Sequence, residues 1–118
     1  MHAEELIAEL KGPTRYLRSL IPNTWQGFSE LHQQALMDGA LSTKTKELMA
    51  LAIAVTGGCE GCIAYHARGA ALSGATELEA AEAIGVALLM GGGPSSVYGP
   101  MALDAFKEFA EMVPAAVG

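Results

Sequence analysis

ELMALAIAVTGGCEGCIAYH, residues 47–66, is the stretch that decides the fold. Before Gly57-Gly58, the positions Glu47, Leu48, Leu51, Ala52 and Val55 recur at helical spacing. After the two glycines, a second helical pattern begins near Cys59. At about 100° per residue, Cys59, Cys62 and His66 fall on one face of that second helix. An antiparallel hairpin hinged at Gly57-Gly58 would return Glu47 toward His66. The stretch therefore predicts two adjacent helices and one cluster of two thiols, an imidazole and a carboxylate.

Outward from this hairpin the helical pattern continues. Ser42 suits the N-cap of the first of the two helices. The second runs to Leu72 and closes at Ser73-Gly74. Thr76 with Glu79 forms a capping box for another helix, carrying Leu78, Ala81, Ile84 and Leu88. Gly91-Gly92-Gly93-Pro94 reads as a break. The last helix is expected over about Val97 to Met112, with Pro100 kinking it or lying near its start. Toward the N-terminus, Pro22 suits a first helical position, and Trp25, Phe28, Leu31, Ala35 and Leu36 follow at helical spacing, with Gly39 as terminator. Met1 to Leu10 reads as a short acidic helix stopped by Gly12-Pro13, with a linking turn around Tyr16 to Leu20. No alternating run of β-branched residues suggests a strand. The expectation is an all-α single domain over residues 1–118, with five to six helices.

Composition agrees and excludes several function classes. Of 118 residues, 51% are hydrophobic but only 6% aromatic, so the apolar mass is Ala, Leu, Met, Val and Ile. Such residues favour closely packed helices, and so much apolar surface on a short chain points to burial between subunits. Seven Lys and Arg stand against thirteen Asp and Glu, a net charge of −6 with no basic run. Nucleic acid and anionic membrane are poor partners for that balance. Residues 1–10 carry three glutamates and no apolar segment, so no signal peptide is expected. No apolar stretch reaches the roughly 18 to 20 residues of a membrane span. A cytoplasmic location follows as the expectation. In a reducing compartment a cysteine pair is catalytic or metal-binding more often than a structural staple.

The chemistry of the pair follows from ordinary thiol behaviour. A thiolate is the attacking species, and a free thiol has a pKa of about 8.5. A helix N-terminus lowers that value, and Cys59 stands just after the glycines where such a terminus should lie. A two-residue spacer lets Cys59 and Cys62 close and reopen an intramolecular disulfide. His66, one turn past Cys62, can accept or relay a proton, and Glu47 can set its tautomer or act as base. Each part has a plainer reading. A lone CxxC occurs by chance, His66 alone could be an ordinary half-buried histidine, and Glu47 alone a solvated or capping residue. The acidic first helix reads as a solvated face and the six methionines as core filler. Structural zinc would need two further ligands, and besides His66 the chain has only His2 and His32, both distant in sequence. The four positions together outweigh the plain readings of each.

The spacing Glu47-x11-Cys59-x2-Cys62-x3-His66, with the surrounding Lys46 to Ala52 and Cys62 to Ala67, resembles the AhpD-like (alkylhydroperoxidase D-like) branch of the carboxymuconolactone decarboxylase family. The likeness covers about residues 20–110 and is strongest over 43–90. It implies an all-helical homo-oligomer, commonly a trimer for two-repeat members and a hexamer for short ones. It also implies an alkylhydroperoxidase or disulfide reductase cycling between dithiol and disulfide, without an organic cofactor or a metal. In this resemblance Cys62 attacks the peroxide, activated through His66 and Glu47, and Cys59 resolves the sulfenic acid. The helix-terminus argument favours Cys59 instead; the proton relay favours Cys62 and is preferred. Two departures stand out. Peroxidase members carry a further histidine between the cysteines, where this chain has Glu60 and Gly61. The added charge beside the thiols should oppose thiolate formation. The decarboxylase branch lacks the cysteine pair and binds an anionic lactone, whereas only Arg68, of three arginines, lies near the motif.

The resulting expectation is a thiol oxidoreductase acting on a hydroperoxide or on a protein or lipoyl disulfide, with a protein electron donor as a candidate partner. Hexamer is preferred over trimer. The competing readings are a non-catalytic redox-sensing or structural helical subunit, and a carboxymuconolactone decarboxylase-like enzyme using Glu47 and His66 alone.

Overall fold

The computed structural model describes residues 1–113. Those residues form six helices: α1 (Ala3–Leu20), α2 (Pro22–Leu36), α3 (Thr43–Gly57), α4 (Glu60–Leu72), α5 (Glu77–Gly91) and α6 (Gly93–Ala110). No strand occurs among the described residues, and none of the helices is long and apolar enough to cross a membrane.

The helix ends around the hairpin follow the expected local chemistry. The Ser42 side chain accepts from the Thr45 N–H, capping α3. Gly58 closes α3 in the left-handed region, with φ 65°, a conformation glycine adopts without steric cost. Thr76 and Glu79 form both halves of a capping box at the start of α5.

Three boundaries differ from the sequence expectation. α1 does not stop at Gly12-Pro13 but runs through Pro13 to Leu20. A proline removes one backbone bond, here the one to Glu9, and the turns on either side keep theirs. Glu4 and Glu5 in the first turn and Arg18 in the last complement the helix dipole. The start of α1 is capped from a distance, since Glu108 accepts from the N–H groups of Ala3 and Glu4 at 3.1 and 2.9 Å. The expected turn at Tyr16 to Leu20 is therefore helix. Next, Gly39 is not the terminator of α2, which ends at Leu36. Its orphan carbonyls are taken by α3 side chains: Thr43 Oγ1 donates to the Leu36 carbonyl at 2.7 Å and Lys46 Nζ to that of Met37 at 2.6 Å. Finally, α6 starts at Gly93 rather than near Val97, and Pro100 lies inside it. The break shrinks to Gly92 because Pro94 fits the first turn of a helix, where its missing N–H has no partner to lose.

α3, α4, α5 and α6 pack around one core in which alanine dominates. Ala64, Ala67, Ala70, Ala80, Ala102 and Ala105 are almost wholly buried, with Leu51, Val55, Ile63 and Phe106 as the bulky members. Small side chains let helix axes approach closely. At Gly99 a β-carbon would come within 2.9 Å of Ile84 Cγ2, so α5 and α6 nearly touch there. Among the described residues, none of α2 is fully buried. Phe28 is 57% exposed, and Ile53, Leu89 and Met90 exceed that.

Electrostatic support sits mainly at helix starts. The Glu79 carboxylate is held below its ordinary range, first by the backbone N–H of Thr76 and then by Lys44. A carboxyl with a lowered folded value adds stability at neutral pH and loses it as pH falls from about 4 through that lower value. Glu79→Gln should therefore remove part of the acid dependence of unfolding while changing stability little at the lowest pH. Urea melts at a series of pH values below 7 would show it, and an unchanged acid limb would count against the capping role.

Candidate redox site at the start of α4

The turn Gly57-Gly58 places Cys59 at the N-cap of α4, in an extended conformation. Its Sγ accepts from the Cys62 N–H at 3.2 Å, so sulfur takes the place a serine or aspartate oxygen usually holds at a helix start. Cys59 and Cys62 are joined as a disulfide, with α-carbons 5.2 Å apart. Both sulfurs are thus accounted for, and the pair needs no rearrangement of the helix to close. Cys62 is exposed and Cys59 half-buried, which makes the Cys62 sulfur the more open to attack.

His66 lies one turn beyond Cys62 and is half-buried. The α3–α4 hairpin brings Glu47 to it: His66 Nδ1 and Glu47 Oε1 are 2.8 Å apart. Glu47 is 7% exposed, one of two buried polar residues in the described chain. A buried carboxylate requires a partner, and Nδ1–H is the one available. Donation from Nδ1 leaves Nε2 as the free ring nitrogen able to take a thiol proton. The hairpin thus joins Cys59 to Cys62 at its hinge and pairs Glu47 with His66 farther along, with His66 one helical turn past Cys62.

One neighbour was not anticipated. His32, on α2, is distant in sequence, yet its ring faces that of His66 at 6.0 Å between centroids and 18° between planes. Nothing in the local sequence of α2 signals this, because the approach depends on how the link 37–41 folds α2 back. Arg68 goes elsewhere. Two residues past His66, it points to the other side of α4, where its guanidinium lies 5.3 Å from the Tyr65 ring centroid. It lines a cleft of about 320 Å³ between α1, α4 and α6. No group of three or more potential metal ligands occurs among the described residues.

Comparisons with known proteins identify the family. The family model described as the Carboxymuconolactone decarboxylase family matches residues 22–108. An uncharacterised protein of Cupriavidus necator is 36% identical over 85 residues, 72% of this chain and 75% of that protein. Uncharacterised protein 4 in the cox locus of Paracoccus denitrificans is 38% identical over 81 residues, 69% of this chain and 73% of its own length. The crystal structure of an apo protein of the same family from Legionella pneumophila superposes with a TM-score of 0.88 at 42% identity. It covers 92% of this chain and 96% of its own.

The geometry lets the pair close as a disulfide within one chain. After full reduction, mild peroxide should restore one disulfide within the chain, seen by mass spectrometry as loss of two hydrogens. A stable sulfinic acid on one cysteine with no disulfide would contradict it.

Proposed function

This chain belongs to the carboxymuconolactone decarboxylase family, and from that premise we propose that it is a thiol–disulfide oxidoreductase of the AhpD-like kind. Its substrate would be a hydroperoxide or a protein or lipoyl disulfide. One observation carries the reading: the Cys59–Cys62 disulfide opens to solvent at Cys62, directly before an imidazole already paired with a buried carboxylate.

In the reduced form, His66 Nε2 takes the Cys62 proton while Glu47 steadies the resulting imidazolium. The Cys62 thiolate attacks the outer peroxide oxygen and the O–O bond breaks. The alkoxide leaves and takes the proton from His66, giving an alcohol and a sulfenic acid on Cys62. The Cys59 thiolate, stabilised by the Cys62 N–H, attacks that sulfur; the S–S bond forms and hydroxide leaves as water on protonation. A dithiol donor then attacks the exposed Cys62 sulfur and displaces Cys59 as a thiolate. The donor's second thiol releases Cys62 and leaves as the oxidised disulfide. A leaving thiolate held at a helix N-terminus departs faster than an unsupported one. The two cysteines thus have separate duties: Cys62 faces the substrate, and Cys59 resolves and leaves. The position of Arg68 on the far side of α4 supplies no anion contact at the sulfurs, which disfavours the lactone decarboxylation reading.

The same reading includes assembly. α2, with no fully buried residue among those described, and the exposed apolar side chains of α1, α5 and α6 offer apolar surface for contact outside the chain. A closed homo-oligomer, a hexamer before a trimer, would cover it. Light scattering at micromolar concentration is the check; a single-chain mass would reject this part of the proposal.

For the chemistry, hydroperoxide turnover and lipoyl disulfide reduction with a dithiol donor are the assays. Cys62→Ser should abolish both activities. Glu47→Gln and His66→Phe should each slow them by about 10² to 10⁴, the usual contribution of an acid–base group. Full activity in both relay variants would remove Glu47 and His66 from the mechanism, and a fully active Cys62→Ser would remove the redox reading itself.

A further inference from the structure

We infer that Gly69 is a positioning residue of this site: the missing side chain at position 69 is what lets the Glu47 carboxyl reach His66. The consequence for turnover rests on the oxidoreductase reading above; the geometric claim does not.

Gly69 lies three residues past His66 on α4, so the two share one side of the helix. A β-carbon built there would coincide with Glu47 Oε2 and crowd its Cδ, and would lie 3.1 Å from Oε1. Oε1 is the atom that holds His66 Nδ1. The carboxyl group that fixes the imidazole thus occupies the volume a side chain at 69 would fill.

The backbone gives no other reason for a glycine here. The glycines with positive φ are Gly58, Gly74 and Gly92, each at a helix end or turn, and Gly69 is not among them. It sits in the body of a helix, where glycine is disfavoured relative to alanine. Gly12, Gly27, Gly57, Gly85 and Gly93 would meet nothing within 4 Å if given a β-carbon. Gly69 differs from them in that the atoms filling its space belong to the candidate relay.

A methyl at 69 collides with the far end of a flexible side chain. Glu47 can swing its carboxyl out, while α4 keeps its path and gains helix propensity. Gly69→Ala should therefore fold and lose the Glu47–His66 pair without a change to either residue. A glycine with only a packing role would behave differently, since its replacement would lower stability and leave the pair in place.

The test compares wild type, Glu47→Gln, Gly69→Ala and the double variant. In wild type, proton NMR should show a downfield imidazole Nδ1–H signal from His66, and Gly69→Ala should lack it. Activity of Gly69→Ala should fall to within a few-fold of Glu47→Gln, with the same pH profile, and the double variant should be no slower than either. Persistence of the NMR signal in Gly69→Ala overturns the inference even if no substrate is ever found. Losses that multiply in the double variant overturn it as well. Absence of turnover in wild type would reject the oxidoreductase reading and leave the NMR comparison to judge Gly69. Should Gly69→Ala fail to fold, Glu47→Ala/Gly69→Ala decides: a folded double variant shows that the carboxyl was the obstacle, and an unfolded one overturns the inference.

Discussion

A buried carboxylate with a single strong partner governs this structure. Glu47 leaves water on folding, and the desolvation of an unpaired charge would cost several kcal/mol. The His66 imidazole at 2.8 Å offsets that cost, and it can do so in only one register of α3 against α4. A slip of either helix by one residue rotates one group by about 100° and separates the pair. Gly58 supports the same register by turning the chain in the left-handed region immediately before Cys59. The hairpin angle, the position of the α4 N-terminus and the placement of both sulfurs follow from these two constraints together.

Cysteine as an N-cap links folding to redox state. In the disulfide, Cys59 Sγ accepts only a weak hydrogen bond from the Cys62 N–H. In the dithiol, a Cys59 thiolate at the same place would receive a charge-assisted one, with the helix dipole in addition. Reduction therefore improves the cap rather than removing it. The α4 start can pass through both states without melting, which is what a repeated dithiol–disulfide cycle needs.

The parts of this architecture written in local sequence were legible, and those written in tertiary contacts were not. Ser42, Gly58 and the Thr76–Glu79 box act within four residues of themselves, so α3, α4 and α5 could be placed from pattern alone. The Cys59–Cys62 and Glu47–His66 pairs were legible because helical spacing and one glycine turn suffice to form each. Prolines misled in two places. Pro13 reads with Gly12 as a stop and Pro94 as part of a break, yet α1 continues through Pro13, held by neighbouring turns and the remote Glu108 cap, and Pro94 lies in the first turn of α6. Gly39 misled in the opposite sense, because Thr43 and Lys46 serve the α2 carbonyls from the next helix. His32 could not be located at all, since its place depends on the path of residues 37–41 and not on any motif.

The core explains why the site is built of small parts and why the chain shows so much apolar surface. Alanines bring α3, α4, α5 and α6 together tightly, but each buries little area, and apolar burial supplies roughly 25 cal/mol per Å². The larger side chains that could add more, Phe28 on α2 and Leu89 and Met90 on α5, point away from this core. Such a division uses small residues to fix internal geometry and leaves bulky ones exposed. It also bears on His32: α2 holds that imidazole beside His66, yet no residue of α2 is fully buried among the described residues. Any contact that restrained α2 would thereby also restrain the ring that faces His66.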